Sequence, residues 1–107
     1  MVDDINRFDI FLIKLDPAND SEDEAVPCIV LSPNEMNILK TVIVAPITEK
    51  GFDFIFRTSI KFSDKKGLIQ LDQIRAVNKS RLLKKIGKAK SKKAIEISDI
   101  LVDMFKL

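Results

Sequence analysis

The sequence predicts a mainly β fold, a small barrel-like sheet with a single C-terminal α-helix. Short β-branched and aromatic runs recur along most of the chain, each bounded by Pro, Gly or charged residues. Only the final segment switches to a helical period. A length of 107 residues suits one compact domain, 1–107, with its own core.

The elements follow in order. Residues 7–15 alternate Phe8, Ile10 and Leu12 against Phe11 and Ile13, which predicts a strand ended by Pro17. Residues 27–31 and 41–47 are short apolar, largely β-branched runs and read as central strands. Residues 54–62 set Phe54, Phe56, Thr58, Ile60 and Phe62 on one face and Ile55, Arg57, Ser59 and Lys61 on the other, the pattern of a half-exposed strand. SDKKG at 63–67 has turn chemistry and leads into a strand at 68–74. A helical turn is expected after Asn78, then a strand at 83–86 stopped by Gly87. Ile97, Ile100, Leu101, Met104 and Phe105 follow the spacing of an amphipathic helix, with Ser91 as its N-cap. No repeat, low-complexity tract or linker interrupts the chain.

Composition excludes several classes of function. The acidic opening MVDDINRFD has no apolar core of a signal segment, and no apolar run approaches the ~20 residues of a membrane span, so a cytoplasmic protein with no membrane partner is expected. The single Cys28 lies in PCIVL and reads as a buried thiol. With no His and one Cys, the usual ligands of zinc are missing, and no metal or cofactor is expected. Chemistry must come from carboxylates, hydroxyls, amides, Lys and Arg.

A net charge of +2 conceals two opposed halves. Residues 1–53 carry 4 basic and 11 acidic side chains, whereas 54–107 carry 14 basic and 5 acidic. Between Arg75 and Lys93 stand nine basic residues and no acidic one, a block that attracts polyanions. The polar loop 16–25, DPANDSEDEA, is too long for a tight hairpin and holds carboxylates that repel phosphate.

Three phrases carry a resemblance: RFDIFLIKLDP at 7–17, TVIVAPIT at 41–48 and LDQIRAVNKSRLLKKIG at 71–87. In that order and spacing the chain resembles the MazF/PemK family of toxin endoribonucleases over most of its length. The resemblance implies an SH3-like β-barrel of the CcdB/MazF/PemK kind. It also implies metal-independent cleavage of single-stranded RNA, homodimerisation and an acidic-tailed, MazE-like antitoxin. Thr48 falls where the family has its catalytic Thr, and Ser21 and Glu22 match its Ser-Glu pair, Glu22 as a catalytic candidate and Ser21 as an RNA contact. Arg57, Gln73, Arg75, Lys84 and Lys85 are further candidate RNA contacts. Val26 occupies the place before Pro27 where the family usually carries a catalytic Arg, and Arg57 or Arg75 is a candidate to supply the charge instead. A catalytically weakened or silent member that binds RNA or the antitoxin is the alternative reading. A topoisomerase poison of the CcdB type is a weaker one, because the chain has no Trp and ends Phe105, Lys106, Leu107.

Overall fold

The computed structural model describes residues 4–14 and 25–107. Its strands are β1 (Asp9–Ile13), β2 (Val26–Val30), β3 (Thr41–Thr48), β4 (Arg57–Phe62), β5 (Lys65–Gln70), β6 (Arg75–Asn78) and β7 (Leu82–Lys88), followed by α1 (Ser91–Phe105). All strand pairs are antiparallel. β6, β3, β2, β1 and β7 lie side by side in that order, and a 3-10 turn at Lys79–Arg81 joins the two outer strands and curls the sheet into a half-barrel. The Asn78 side chain caps that turn by accepting from the Ser80 amide at 2.9 Å.

Both faces of this sheet are covered. Inside the curl pack Phe11, Ile13, Cys28, Val30, Val42, Val44, Val77 and Leu82. On the outside Ile10, Ile29, Ala45 and Ile47 meet Ile60, Phe62 and Ile69 of the β4–β5 hairpin, and Ile97 of α1. Two buried faces explain why β2 and β3 read as nearly unbroken apolar runs instead of alternating ones. Fully burying a side chain such as Phe11 stabilises the fold by about 1.5–3 kcal/mol.

β3 positions the functional surface because it is shared by two partners along one edge. Thr41 to Val44 pair with β6, and Ile47 and Thr48 pair with β5. The expected continuous strand at 68–74 is therefore broken: β5 ends at Gln70, a 3-10 turn at Leu71–Gln73 turns the corner, and β6 resumes beside the start of β3. The hairpin turn is also tighter than SDKKG suggests. Only Ser63 and Asp64 form it, both with positive φ (46° and 61°), while Lys65, Lys66 and Gly67 are already in the ladder.

Other expectations shift at their ends. β1 starts at Asp9 because Phe8 turns the chain at φ 72°. β4 starts at Arg57, and before it Phe54 and Phe56 pack edge to face at 5.7 Å. Gly87 sits inside β7 opposite Ile10 and does not stop it. Ser91 is the first residue of the helix; the cap is Lys90, with no side-chain cap hydrogen bond. Of the expected apolar stripe only Ile97 is fully buried, and Phe105 is 67% exposed. No described helix is long and apolar enough to cross a membrane.

Candidate active site

The end of β3 borders an open groove of about 830 Å³. Its base is apolar, from Leu12, Val26, Pro27, Ile47, Phe62 and Ile86, and its polar groups are Thr48, Glu49, Lys50, Ser63 and Lys65. Thr48 and Val26, far apart in sequence, thus face one space. The Thr48 hydroxyl is held in place by the turn that follows it: it donates to the Lys50 carbonyl at 2.7 Å and accepts from the Lys50 amide at 3.1 Å. Across the groove the tip of the β4–β5 hairpin is pinned to β7, where Ser63 Oγ donates to the Ile86 carbonyl at 2.5 Å.

Gly67 lets β5 come this close to β3. A Cβ there would lie 2.6 Å from Ile47 Cγ2 and 3.1 Å from the Thr48 carbonyl oxygen. Thr48 also borders a shallower depression of about 330 Å³, shared with Glu49, Asp53, Ser59 and Lys66.

The remaining candidates fall into three places. Arg57, 10% exposed, forms a two-point bridge to Asp72, Nε to Oδ1 at 2.9 Å and Nη2 to Oδ2 at 3.0 Å. Its guanidinium lies 4.8 Å from the Phe52 ring centre. Its Nη1 is 3.8 Å from the point where a Gly51 Cβ would sit, and Thr48 Cγ2 is 3.1 Å from that point, so Arg57 stands behind the Thr48 turn. Gln73 joins this group by donating to Asp72 Oδ2 at 3.2 Å. The Arg57 hydrogen bonds hold the Asp72 carboxyl down at about 2, and the same bonds raise Arg57.

Lys84 and Lys85 lie on β7. Lys84 is opposite Leu12 of the groove, and Lys85 Nζ is 3.2 Å from Oδ1 of buried Asp9. Arg75 opens β6 opposite Val44, away from the groove. It opposes the effect of burial on Cys28, whose thiol burial pushes up to about 12, so this cysteine stays a protonated core residue at neutral pH. Ser21 and Glu22 lie outside the described residues.

Glu49, Lys50 and Lys65 line the groove although their sequence pattern does not single them out. The first two directly follow Thr48 and are legible as its neighbours; the composition of SDKKG places Lys65 in the turn, and only the two-residue hairpin brings it to the groove. No cluster of three or more potential metal ligands occurs among the described residues.

A curled antiparallel sheet with a terminal helix, and an open groove at the end of β3, define the class of small half-barrel folds. Residues 6–105 match the PemK-like, MazF-like toxins of type II toxin-antitoxin systems. The chain is 32% identical over 105 residues to the endoribonuclease MazF of Staphylococcus epidermidis, spanning 91% of this chain and 88% of that protein. It is 33% identical over 94 residues to the endoribonuclease toxin ChpB of Escherichia coli K12, spanning 80% and 81%. The chain belongs to the PemK-like, MazF-like toxin family.

Solved structures agree on the fold. A mycobacterial endoribonuclease in complex with its cognate antitoxin superposes with a TM-score of 0.79 at 19% identity, covering 94% of this chain and 93% of that one. A MazE-MazF structure from Deinococcus radiodurans gives 0.79 at 15% identity, with 96% of each covered.

Proposed function

We propose that the chain is the toxin of a toxin-antitoxin pair, a cytoplasmic endoribonuclease that cuts single-stranded RNA, mRNA above all, and so halts translation. The 107 residues act as one toxin domain, work as a homodimer, and are restrained by an acidic-tailed, MazE-like antitoxin. The observation that carries this reading is the groove where Thr48 meets Lys50 and Lys65, in a chain that belongs to this toxin family.

Cleavage needs no external nucleophile. The 2′ oxygen bonds to the adjacent phosphorus and loses its proton, the bond from phosphorus to the 5′ oxygen breaks, and that oxygen takes up a proton. A cyclic phosphate and a free 5′ hydroxyl result. Thr48 still accepts from the Lys50 amide when its single proton turns from the Lys50 carbonyl to a phosphoryl oxygen, and in that rotamer it orients the phosphate. The Val26 side chain offers neither charge nor hydrogen bond, so the negative charge building on phosphorus is met by Lys50 and Lys65, with Arg57 behind the Thr48 turn. Removing a group that stabilises such charge typically lowers the rate by about 10²–10³. Glu22 is the second catalytic candidate beside Thr48, and Ser21, Gln73, Arg75, Lys84 and Lys85 contribute contacts to the strand.

The test is cleavage of single-stranded RNA by the purified protein. Thr48→Ala is expected to lower kcat by about 10²-fold, and Val26→Arg, which adds a cation beside Thr48, to raise it. An active wild type indifferent to Thr48→Ala would remove Thr48 from the reaction.

A further inference from the structure

A second basic feature lies outside the groove and is not accounted for by it. Lys61, Lys66, Lys88, Lys90 and Lys93 converge on a cleft of about 400 Å³ between the outer edge of β4 and the junction of β7 with α1. Among the described residues no acidic side chain lines this cleft. Lys93 is engaged by Glu96 and by Thr58 Oγ1, but the other four lysines form no ion pair among the described residues.

Two local choices here work against the free protein. Lys61 and Lys66 are directly opposed across the β4–β5 ladder, where like charges repel. Lys90, Lys92 and Lys93 crowd the start of α1, whose first turn has no acidic residue, so they add to the positive end of the helix instead of neutralising it. Both arrangements become favourable once a polyanion occupies the cleft.

The cleft is also in line with Thr48. Thr48 pairs with Leu68, and Leu68 pairs with Ser59, so the three form one row on one face of the sheet. Alternation puts Lys66 and Lys61 on that same face, two residues further along β5 and β4. Two strand spacings separate Thr48 from Ser59, roughly 10 Å, which adjoining nucleotides of an extended strand can span. Ser59 and Lys66 border both the cleft and the depression beside Thr48, and they make the two continuous.

We propose that this cleft is a phosphate-binding subsite for the substrate RNA, gripping the backbone beyond the cut and setting how long a strand the enzyme holds. The proposal rests on the endoribonuclease reading. Lys61 and Lys66 grip the strand from the hairpin, and Lys88 and Lys90 from the helix side. Because they act away from the groove, they strengthen binding of a long strand and leave a minimal one nearly untouched.

The experiment compares wild type with the double variant Lys61→Gln, Lys66→Gln. The probes are a long single-stranded RNA and a dinucleotide whose one phosphate is taken up beside Thr48, both 2′-O-methylated so that they cannot be cut, with an acidic peptide in a parallel series. Expected are several-fold weaker binding of the long RNA only, and a log-log salt slope smaller by about 0.7 for each phosphate no longer gripped. Melting temperature is expected to hold or rise, since a repulsive pair is removed; a fall in stability together with weaker binding of both RNAs would mean a structural role and overturn the proposal. Unchanged binding and slope for the long RNA would overturn it too, as would equal losses for both RNAs or a loss confined to the acidic peptide. If the double variant binds like wild type while Thr48→Ala still lowers cleavage by about 10²-fold, only the subsite falls. A wild type that neither binds nor cuts RNA brings down the functional reading as well.

Discussion

Asp72 shows at the scale of one residue how the site is braced. Its carboxylate receives two bonds from Arg57 and one from Gln73, and so fixes the guanidinium that stands behind Thr48. The carboxyl sits at about 2 in the folded protein, below the ~3.9 of an unfolded Asp. A depressed value means that the folded state favours the ionised form. The bridge therefore contributes its full stability above about pH 4 and loses it as the pH falls through about 2. Asp72→Asn should be less stable than wild type at neutral pH, and the gap should close towards pH 2. Urea unfolding at pH 7, 4 and 2.5 measures this, and a gap independent of pH would mean that the ionic part of the bridge is idle. Thr48 is legible in the sequence because it ends a recognisable β run. The Arg57–Asp72 pair is not, because its members are 15 positions apart and meet only across the turn of the chain.

Among the elements, the β4–β5 hairpin organises the site. It lines the groove with Lys65 and the depression with Lys66, and a two-residue turn sets that alternation. The alternation of β4 is readable from its pattern: Thr58, Ile60 and Phe62 are buried, and Ser59 and Lys61 exposed. The corner at Leu71–Gln73 is not readable, because LIQLDQIRAV keeps strand-like composition throughout and only the division of β3 between two partners forces the break. Gly67 is where this packing can be tested. Gly67→Ala places a methyl against Ile47 Cγ2 and the Thr48 carbonyl, and one of these neighbours is backbone that cannot yield cheaply. A loss of about 1–3 kcal/mol is expected from such overpacking, together with lowered RNA cleavage, since Thr48 moves with its carbonyl. Chemical denaturation and a cleavage assay on the same preparation read both effects; full stability and activity would show that β5 has room to retreat.

For the whole molecule, the half-barrel and its closing helix are legible in the sequence because buried strands and an amphipathic helix leave separate periodicities. Which apolar residues stay outside is a different matter. Phe105 belongs to the expected stripe and Ile95 and Val102 lie outside it, and the three are 67%, 63% and 61% exposed, on a face of α1 that the sheet does not cover. Spacings of seven and three residues bring them onto one stripe. Ile97 is buried and Ile100 and Leu101 pack partly against the same core, so Ile95, Val102 and Phe105 are apolar residues of the helix that one chain leaves uncovered. A second copy of the chain is the expected cover, in keeping with the homodimer proposed above and with the prevalence of two-fold closure. Sedimentation should give twice the 12.1 kDa of the chain at micromolar concentration. Ile95→Lys with Phe105→Lys should weaken the dimer tenfold or more, because two exposed anchors are replaced by like charges that face one another across the two-fold axis. Both positions are largely exposed, so the variant should keep the thermal stability of the isolated chain. A wild type that sediments as one chain would remove the dimer, and a dimer that tolerates both lysines would move its interface off α1.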